Sequence, residues 1–265
     1  MRLQKKKPCL VFCGLVLFLS LACDATFSAG YPTATPAPAT ASPTTPPPSL
    51  KLNVISASYS ENNQSPPSSI TAVLPQLTGS DDPRVKAFNE AVNLLMAGEI
   101  ESFKNDLAGL PTPPQIAVST FDAKYEVVYQ GGDIWSLRFD IAFYLDGAAH
   151  PGNSVHAFNY DFDHSRAIQL GELFLPDSDY LQTLSDYCSA ELATRDIAFN
   201  PASAGVKPTP QNYRNWNITP EGLVITFERG QVAAYAAPAQ VVKIPYTKLQ
   251  PIIHPHGILA GMLVK

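Results

Sequence analysis

The sharpest pattern in the chain is a period of two. Trp135, Leu137, Phe139, Ile141 and Phe143 alternate with Ser136, Arg138 and Asp140. Such alternation marks a half-buried antiparallel strand with one face on a core and the other towards solvent. Phe121 to Gln130 precedes it as a second strand, separated by the turn-forming run Gly131-Gly132-Asp133. Asp146-Gly147 turns the chain again, and from Ser154 to Phe162 the residues Phe158, Tyr160 and Phe162 share one face before a further turn over Asp163 to Arg166. Leu52 to Ser60 and Ile70 to Leu77 read as strands on the N-terminal side. Trp216 to Ile218, Leu223 to Glu228 and Gln240 to Ile244 read as closing strands, with Glu221-Gly222 as a turn.

Two stretches change period. Val85, Phe88, Val92 and Leu95 recur at spacings of three and four, the apolar stripe of an amphipathic helix, and Ile100, Phe103 and Leu107 extend it past Gly98. Asp81 is placed to cap this helix, with Pro83 in the first turn, where a missing N–H is harmless. Leu110-Pro111 and Pro113-Pro114 end it. A second helix starts at Asp177 or Ser178, with Leu181, Leu184, Cys188 and Leu192 along its apolar stripe. Phe199 to Tyr213, with three prolines, reads as a long loop. The expected fold class is α+β: an antiparallel β-sheet with two main helices packed against it, in a single domain over residues 51–265.

The first 50 residues follow other rules. Arg2 and Lys5 to Lys7 precede a 14-residue, largely apolar run from Pro8 to Leu21. That run is short for a membrane span, which wants about 20 residues, and it has the layout of an export signal. It ends in Leu19-Ser20-Leu21-Ala22-Cys23, which resembles a bacterial lipobox. Residues 1–22 are therefore expected to be a lipoprotein-type signal peptide and Cys23 the lipidated residue, holding the protein to the cell membrane on its extracytoplasmic side. Cys9 and Cys13 would leave with the signal and Cys23 would carry lipid, so of the four cysteines only Cys188 remains, too few for an internal disulfide. Residues 23–50 read as a stalk. Seven of the 20 residues from Tyr31 to Leu50 are proline and most others are Thr, Ala or Ser, a composition that favours extended polyproline-II segments over a packed core.

Composition adds two exclusions. At 45% apolar and 15% charged residues, the chain has enough material for a core and too little charge for wholesale disorder. The formal net charge of −5 understates the acidity of the body. Four of the 18 basic residues lie in the first seven positions, so the remainder carries 14 basic against 23 acidic groups, a formal −9. An acidic body argues against nucleic acid as a partner, which requires a basic face.

The order "aromatic strand, Gly-x-x-His-Pro turn, strand, Leu-x-x-Leu-Phe, long helix" appears at Gly147 to Pro151, Phe158 to Asp161 and Leu170 to Phe174. It is followed by Trp216 to Leu223, Phe227, Tyr235-Ala236-Ala237 and Val242-Lys243-Ile244-Pro245-Tyr246. This arrangement resembles the bacterial extracellular domain at the C-terminus of RsiV-type anti-sigma factors and beside the deacetylase domain of PdaC-like enzymes. The resemblance implies an α+β binding or sensory module outside the membrane, without catalysis or cofactor, and in the RsiV branch a module that binds lysozyme. Where the family often shows Pro-Tyr-Glu after the Phe of the penultimate strand, this chain has Arg229-Gly230-Gln231. The expected ligand surface is bordered by Arg229, Gly230 and Gln231 together with the turn from His150 to Asn153, with Tyr235 as an exposed contact. The expected partner is a lysozyme-like protein, which would be cationic and suit the acidic body, or a cell-wall polymer. A peptidoglycan- or polysaccharide-binding envelope module and an uncharacterised hydrolase are the alternatives.

Chemical motifs are sparse. His150, His156 and His164 with Asp161 and Asp163 fall on a turn, a strand and the next turn, and alternation points His156 and Asp161 to opposite faces. They read as structural rather than metal-ligating, as does His254-Pro255-His256. No nucleophile elbow, zinc helix, Cys-x-x-Cys pair or phosphate loop is present, so no catalytic residue is assigned. Asn217-Ile218-Thr219 matches the N-glycosylation pattern by accident. Trp135 reads as core, while Trp216 is balanced between core and a sugar-stacking platform.

Overall fold

The computed structural model describes residues 52–110 and 117–263. The export signal, Cys23, the stalk and the helix-ending prolines between 111 and 114 lie outside the described residues.

The chain begins with a long hairpin of β1 (Asn53–Gln64) and β2 (Pro67–Thr78). The inward residues of β2 are Ile70, Ala72 and Leu74, while β1 is largely exposed. Helix α1 (Pro83–Ala108) follows. Its first turn is fixed by Asp82, whose side chain accepts a 2.9 Å bond from the Arg84 amide, so the cap is Asp82 rather than its neighbour Asp81. Val85, Phe88, Val92, Met96, Ile100, Phe103 and Leu107 form the buried stripe on α1, in line with the spacing in the sequence. Lys104 of α1 donates a 2.7 Å bond to Glu61 of β1, which also accepts from Tyr59 and Asn63. These bonds, that of Lys104 foremost, hold the Glu61 carboxyl well below its usual range, at about 2, and tie the hairpin to the helix.

After α1, strand β3 (Ser119–Gly131) enters beside β2 and runs parallel to it, from Ser68 opposite Ser119 to Ala72 opposite Ala123. The remaining pairings are antiparallel: β4 (Ile134–Tyr144) on β3, β5 (Gly152–Asp161) on β4, and the two-residue β6 (Arg166–Ala167) on β5. The sheet order is β1-β2-β3-β4-β5-β6. The α+β, antiparallel-dominated architecture stands, with one parallel pair that the sequence did not reveal.

The second half is built around α2 (Tyr180–Leu192), capped by Asp179, and a three-stranded antiparallel sheet of β7 (Trp216–Ile218), β8 (Gly222–Phe227) and β9 (Gln240–Pro245). Leu184, Cys188 and Leu192 of α2 are fully buried in a core shared with Ile218, Leu223, Ile225, Val242 and Ile244. A short helix α3 (Tyr246–Leu249) continues β9, and the Tyr246 hydroxyl donates to the Thr219 carbonyl at 2.8 Å. All described residues fall in one compact unit spanning 49–265.

The two sheets meet through buried polar groups. Ser136 of β4 was expected on a solvent-facing side; it is fully buried. Its hydroxyl donates to Asn159 Oδ1 at 2.7 Å and accepts from Asn217 Nδ2 at 2.9 Å and from the Ile218 amide at 3.0 Å. Asn159 donates to the Trp216 carbonyl, and Asn217 to the Leu137 carbonyl. The reason for the difference is tertiary: β7 covers this part of the strand face opposite α1. The same contact buries Trp216 and Asn217, which settles the tryptophan as core and removes Asn217 from any surface role.

Cys188 packs as a small apolar side chain, and burial pushes its thiol up to about 12. The folded protein is expected to leave Cys188 unmodified by iodoacetamide at neutral pH, with full alkylation in denaturant, as read by mass of the peptide carrying it. Labelling at equal rates in both states would place the thiol outside the core.

Candidate functional site

The turn between β4 and β5 and the loop between β8 and β9 come together although they are about 80 positions apart in sequence. His150 stands in the first and Tyr235 in the second, with ring centroids 5.1 Å apart and planes inclined by 34°. The Arg229 guanidinium lies over the Tyr235 ring, 5.6 Å from its centroid, a cation–π arrangement that holds a mobile side chain in place. All three residues are exposed. Among the described residues, Arg229 makes no ion pair. His150 Nδ1 donates to the Pro151 carbonyl at 3.2 Å.

Gly230 makes the loop geometry possible. Its φ is +81°, a conformation side chains rarely adopt, and a Cβ there would sit 3.1 Å from Tyr235 Cδ2. Gln231 is turned inward. Its Nε2 donates to the carbonyls of Gly205 and Asn212, both at 3.0 Å, and its Oε1 accepts from the Glu228 amide at 3.0 Å. These bonds pin the β8–β9 loop to the segment before β7, so Gln231 positions its neighbours and offers no free polar group outward. Asn153, the second residue of β5, is exposed beside the turn that carries His150.

Glu228, next to Arg229 in the chain, belongs to a set of charged contacts with no sequence signal, because its members come from distant elements. Glu228, just after β8, accepts from Arg214 at 2.6 Å, from Asn215 at 3.3 Å and from the Val155 amide at 3.5 Å. His156 Nδ1 on β5 donates to Glu99 Oε1 on α1 at 2.7 Å, and this bond is the main reason the Glu99 carboxyl is held below its usual range, with Arg214 adding to the effect. Both carboxylates are thus engaged with cations or donors, while Arg229 and His150 face outward.

The other histidines are partnered locally. His164 Nδ1 donates to Asp161 at 2.8 Å, and His254 Nδ1 accepts from the His256 amide at 3.3 Å. Among the described residues, none of these side chains bonds a serine, threonine or cysteine. Nor does any group of three or more His, Cys, Asp or Glu side chains stand where it could hold a metal ion. Several concave regions of the described residues lie elsewhere, two of them lined by groups named above. One is a groove of about 500 Å³ between β1, β2 and α1, floored by Leu74, Met96 and Ile100; the other is an open cleft of about 600 Å³ beside His164 and His256.

The chain is 25% identical over 158 residues to the peptidoglycan-N-acetylmuramic acid deacetylase PdaC of Bacillus subtilis, covering 58% of this chain and 34% of that protein. It is 30% identical over 116 residues to an esterase of Mycobacterium tuberculosis, covering 42% and 50%. The chain thus spans between a third and a half of the length of these relatives. The fold is shared with the crystal structure of a DUF3298 family member from Bacteroides fragilis, with a TM-score of 0.58 and 16% identity over 82% of this chain and 98% of that one. Over residues 171–247, from the turn before α2 through β7, β8 and β9 into α3, the chain matches the model of DUF3298, a family described as of unknown function.

Proposed function

We propose that this protein is a non-catalytic binding module, displayed outside the cell on a lipid-anchored stalk, and that its ligand face is the His150–Tyr235–Arg229 stack with Asn153 and Gly230 at its border. The observation that carries this reading is the convergence, from two loops, of an exposed aromatic ring, an imidazole and a guanidinium that makes no ion pair among the described residues, with Gln231 pinning the loop that carries the ring. Exposed Tyr and Arg on a pre-organised support are the side chains that most often dominate recognition surfaces. The Gln231 anchors and the positive φ of Gly230 supply that support. The lipobox-like run ending at Cys23 and the proline-rich segment support the location, and the RsiV-type resemblance supports binding without chemistry.

The ligand is proposed to be a component of the cell envelope, with wall polymer ahead of a lysozyme-like protein. The relative that acts on peptidoglycan is consistent with a ligand in the wall. A hydrolase is the second reading, favoured by the names of the two relatives, and the groups it would use are His156 and Glu99.

Retention of the purified full chain on isolated cell-wall sacculi and on immobilised lysozyme tests the proposal. The wild type is expected to be retained by sacculi, with Tyr235→Ala reducing retention at least about fivefold, the scale of a moderate contact residue, and the wall left chemically intact. Retention on lysozyme instead would name the protein ligand. Unchanged retention in Tyr235→Ala would remove the ligand face. Release of acetyl or ester groups that disappears in Glu99→Gln would establish the hydrolase.

A further inference from the structure

The charge at the stack is opposite in sign to that of the body. The body carries a formal −9, yet the outward groups at the stack are Arg229, His150 and the Tyr235 hydroxyl. The carboxylate next to Arg229 in the chain is already committed: Glu228 accepts from Arg214, Asn215 and the Val155 amide. A ligand arriving at this face therefore meets an arginine without a counter-ion among the described residues, beside the exposed His150 imidazole. We infer that the stack recognises an acidic group, a carboxylate or a phosphate, carried on an extracellular polymer. The inference rests on the stack being the ligand face and adds the chemistry of what binds there.

The geometry suits a planar or tetrahedral anion. Arginine presents parallel N–H donors in a rigid fork that matches carboxylate and phosphate oxygens, and such bonds are the stronger ones. The Tyr235 ring fixes the guanidinium plane before the ligand arrives, which lowers the entropy lost on binding. With Arg229 over Tyr235 and His150 inclined against it, the aromatic ring is engaged by its neighbours. This argues for a polar acidic ligand over simple stacking of a neutral sugar. Long-range repulsion from the acidic body does not cancel the effect. At physiological salt, charges more than about 8 Å apart are largely screened, whereas contacts at the stack are not.

Fluorescently labelled poly-L-glutamate and polyphosphate, titrated into the full chain at physiological salt and read by anisotropy, test the inference. Binding of at least one polymer is expected, and the tighter of the two names the source as carboxylate or phosphate. Arg229→Ala is expected to weaken it about tenfold, the loss of one charge-assisted contact. Arg229→Lys should fall between, because it keeps the charge and loses the fork. Arg166→Ala is the control: it removes the same charge from an arginine already paired with Glu172 at 2.7 Å, and affinity should stay within about twofold. Equal loss in Arg229→Ala and Arg166→Ala would show general charge attraction and overturn the inference. Absence of binding by both polymers would overturn it as well. If Tyr235→Ala still reduced retention on sacculi in that case, the ligand face would stand and only its acidic chemistry would fall.

Discussion

Replacing Ser136 by alanine is expected to lower the unfolding free energy by about 3 kcal/mol. The substitution removes one hydroxyl and leaves three buried partners short. Asn159 Oδ1 loses its donor, and the Ile218 amide loses its acceptor. Asn217 Nδ2 keeps only the Leu137 carbonyl. Each buried polar group left unpaired costs about 1–3 kcal/mol, and the residual bond of Asn217 keeps the total near the lower end. The volume lost is small, so the cost is one of desolvation rather than of cavity formation. Urea unfolding followed by tryptophan fluorescence reports directly, because Trp135 adjoins Ser136 in β4 and the Trp216 carbonyl accepts from Asn159 of the same network. Ser58→Ala, on the exposed strand β1, should change stability by less than about 0.5 kcal/mol. A loss below about 1 kcal/mol in Ser136→Ala would mean that the sheets are joined by apolar packing alone.

Phe88→Ala is the second large effect, at about 4 kcal/mol. Phe88 is fully buried where α1 meets the sheet, with its ring 5.2 Å from Trp135 and 5.2 Å, edge-on, from Tyr160. Truncating a buried phenylalanine costs about 3–5 kcal/mol through lost transfer energy and the cavity left behind. The aromatic pairs add to that. Phe88→Leu keeps most of the volume and is expected to cost about 1–2 kcal/mol. Leu94→Ala, on the same helix but 76% exposed, should be close to neutral. Equal losses for Phe88→Ala and Leu94→Ala would show that α1 is not seated on the sheet through this contact. The consequence reaches the candidate site, since Glu99 on α1 pairs with His156 on β5.

Much of the fold is legible in the chain because local periodicity carries it. The alternation at Trp135 to Ile141 marks β4, the three-and-four spacing from Val85 to Leu107 marks α1, and Cys188 falls on the stripe of α2. Closing strands as short as Trp216–Ile218 are also visible, since turn residues bracket them. The candidate site is only half legible. His150, Arg229, Gly230 and Tyr235 are singled out by turn chemistry and by comparison with a family pattern, and the structure brings them together. Gln231 is singled out with them, yet it faces inward, because a polar residue next to a turn can serve the backbone as readily as a ligand. Arg214, Glu228 and Glu99 carry no signal, being ordinary surface charges until three separate elements bring them into reach.

The sequence by itself determined the elements and the inward face of most of them, because side-chain periodicity and capping act within a few residues. It also determined the acidic character of the body. Tertiary structure alone decided that β3 runs parallel to β2, since alternation is the same for either direction and only the return of the chain along α1 selects one. It decided as well that the polar position Ser136 is core, because whether a strand face meets water depends on what crosses it, and here β7 does. The state of Arg229 depends on the same level of structure: pairing in space, not composition, leaves it without a carboxylate among the described residues.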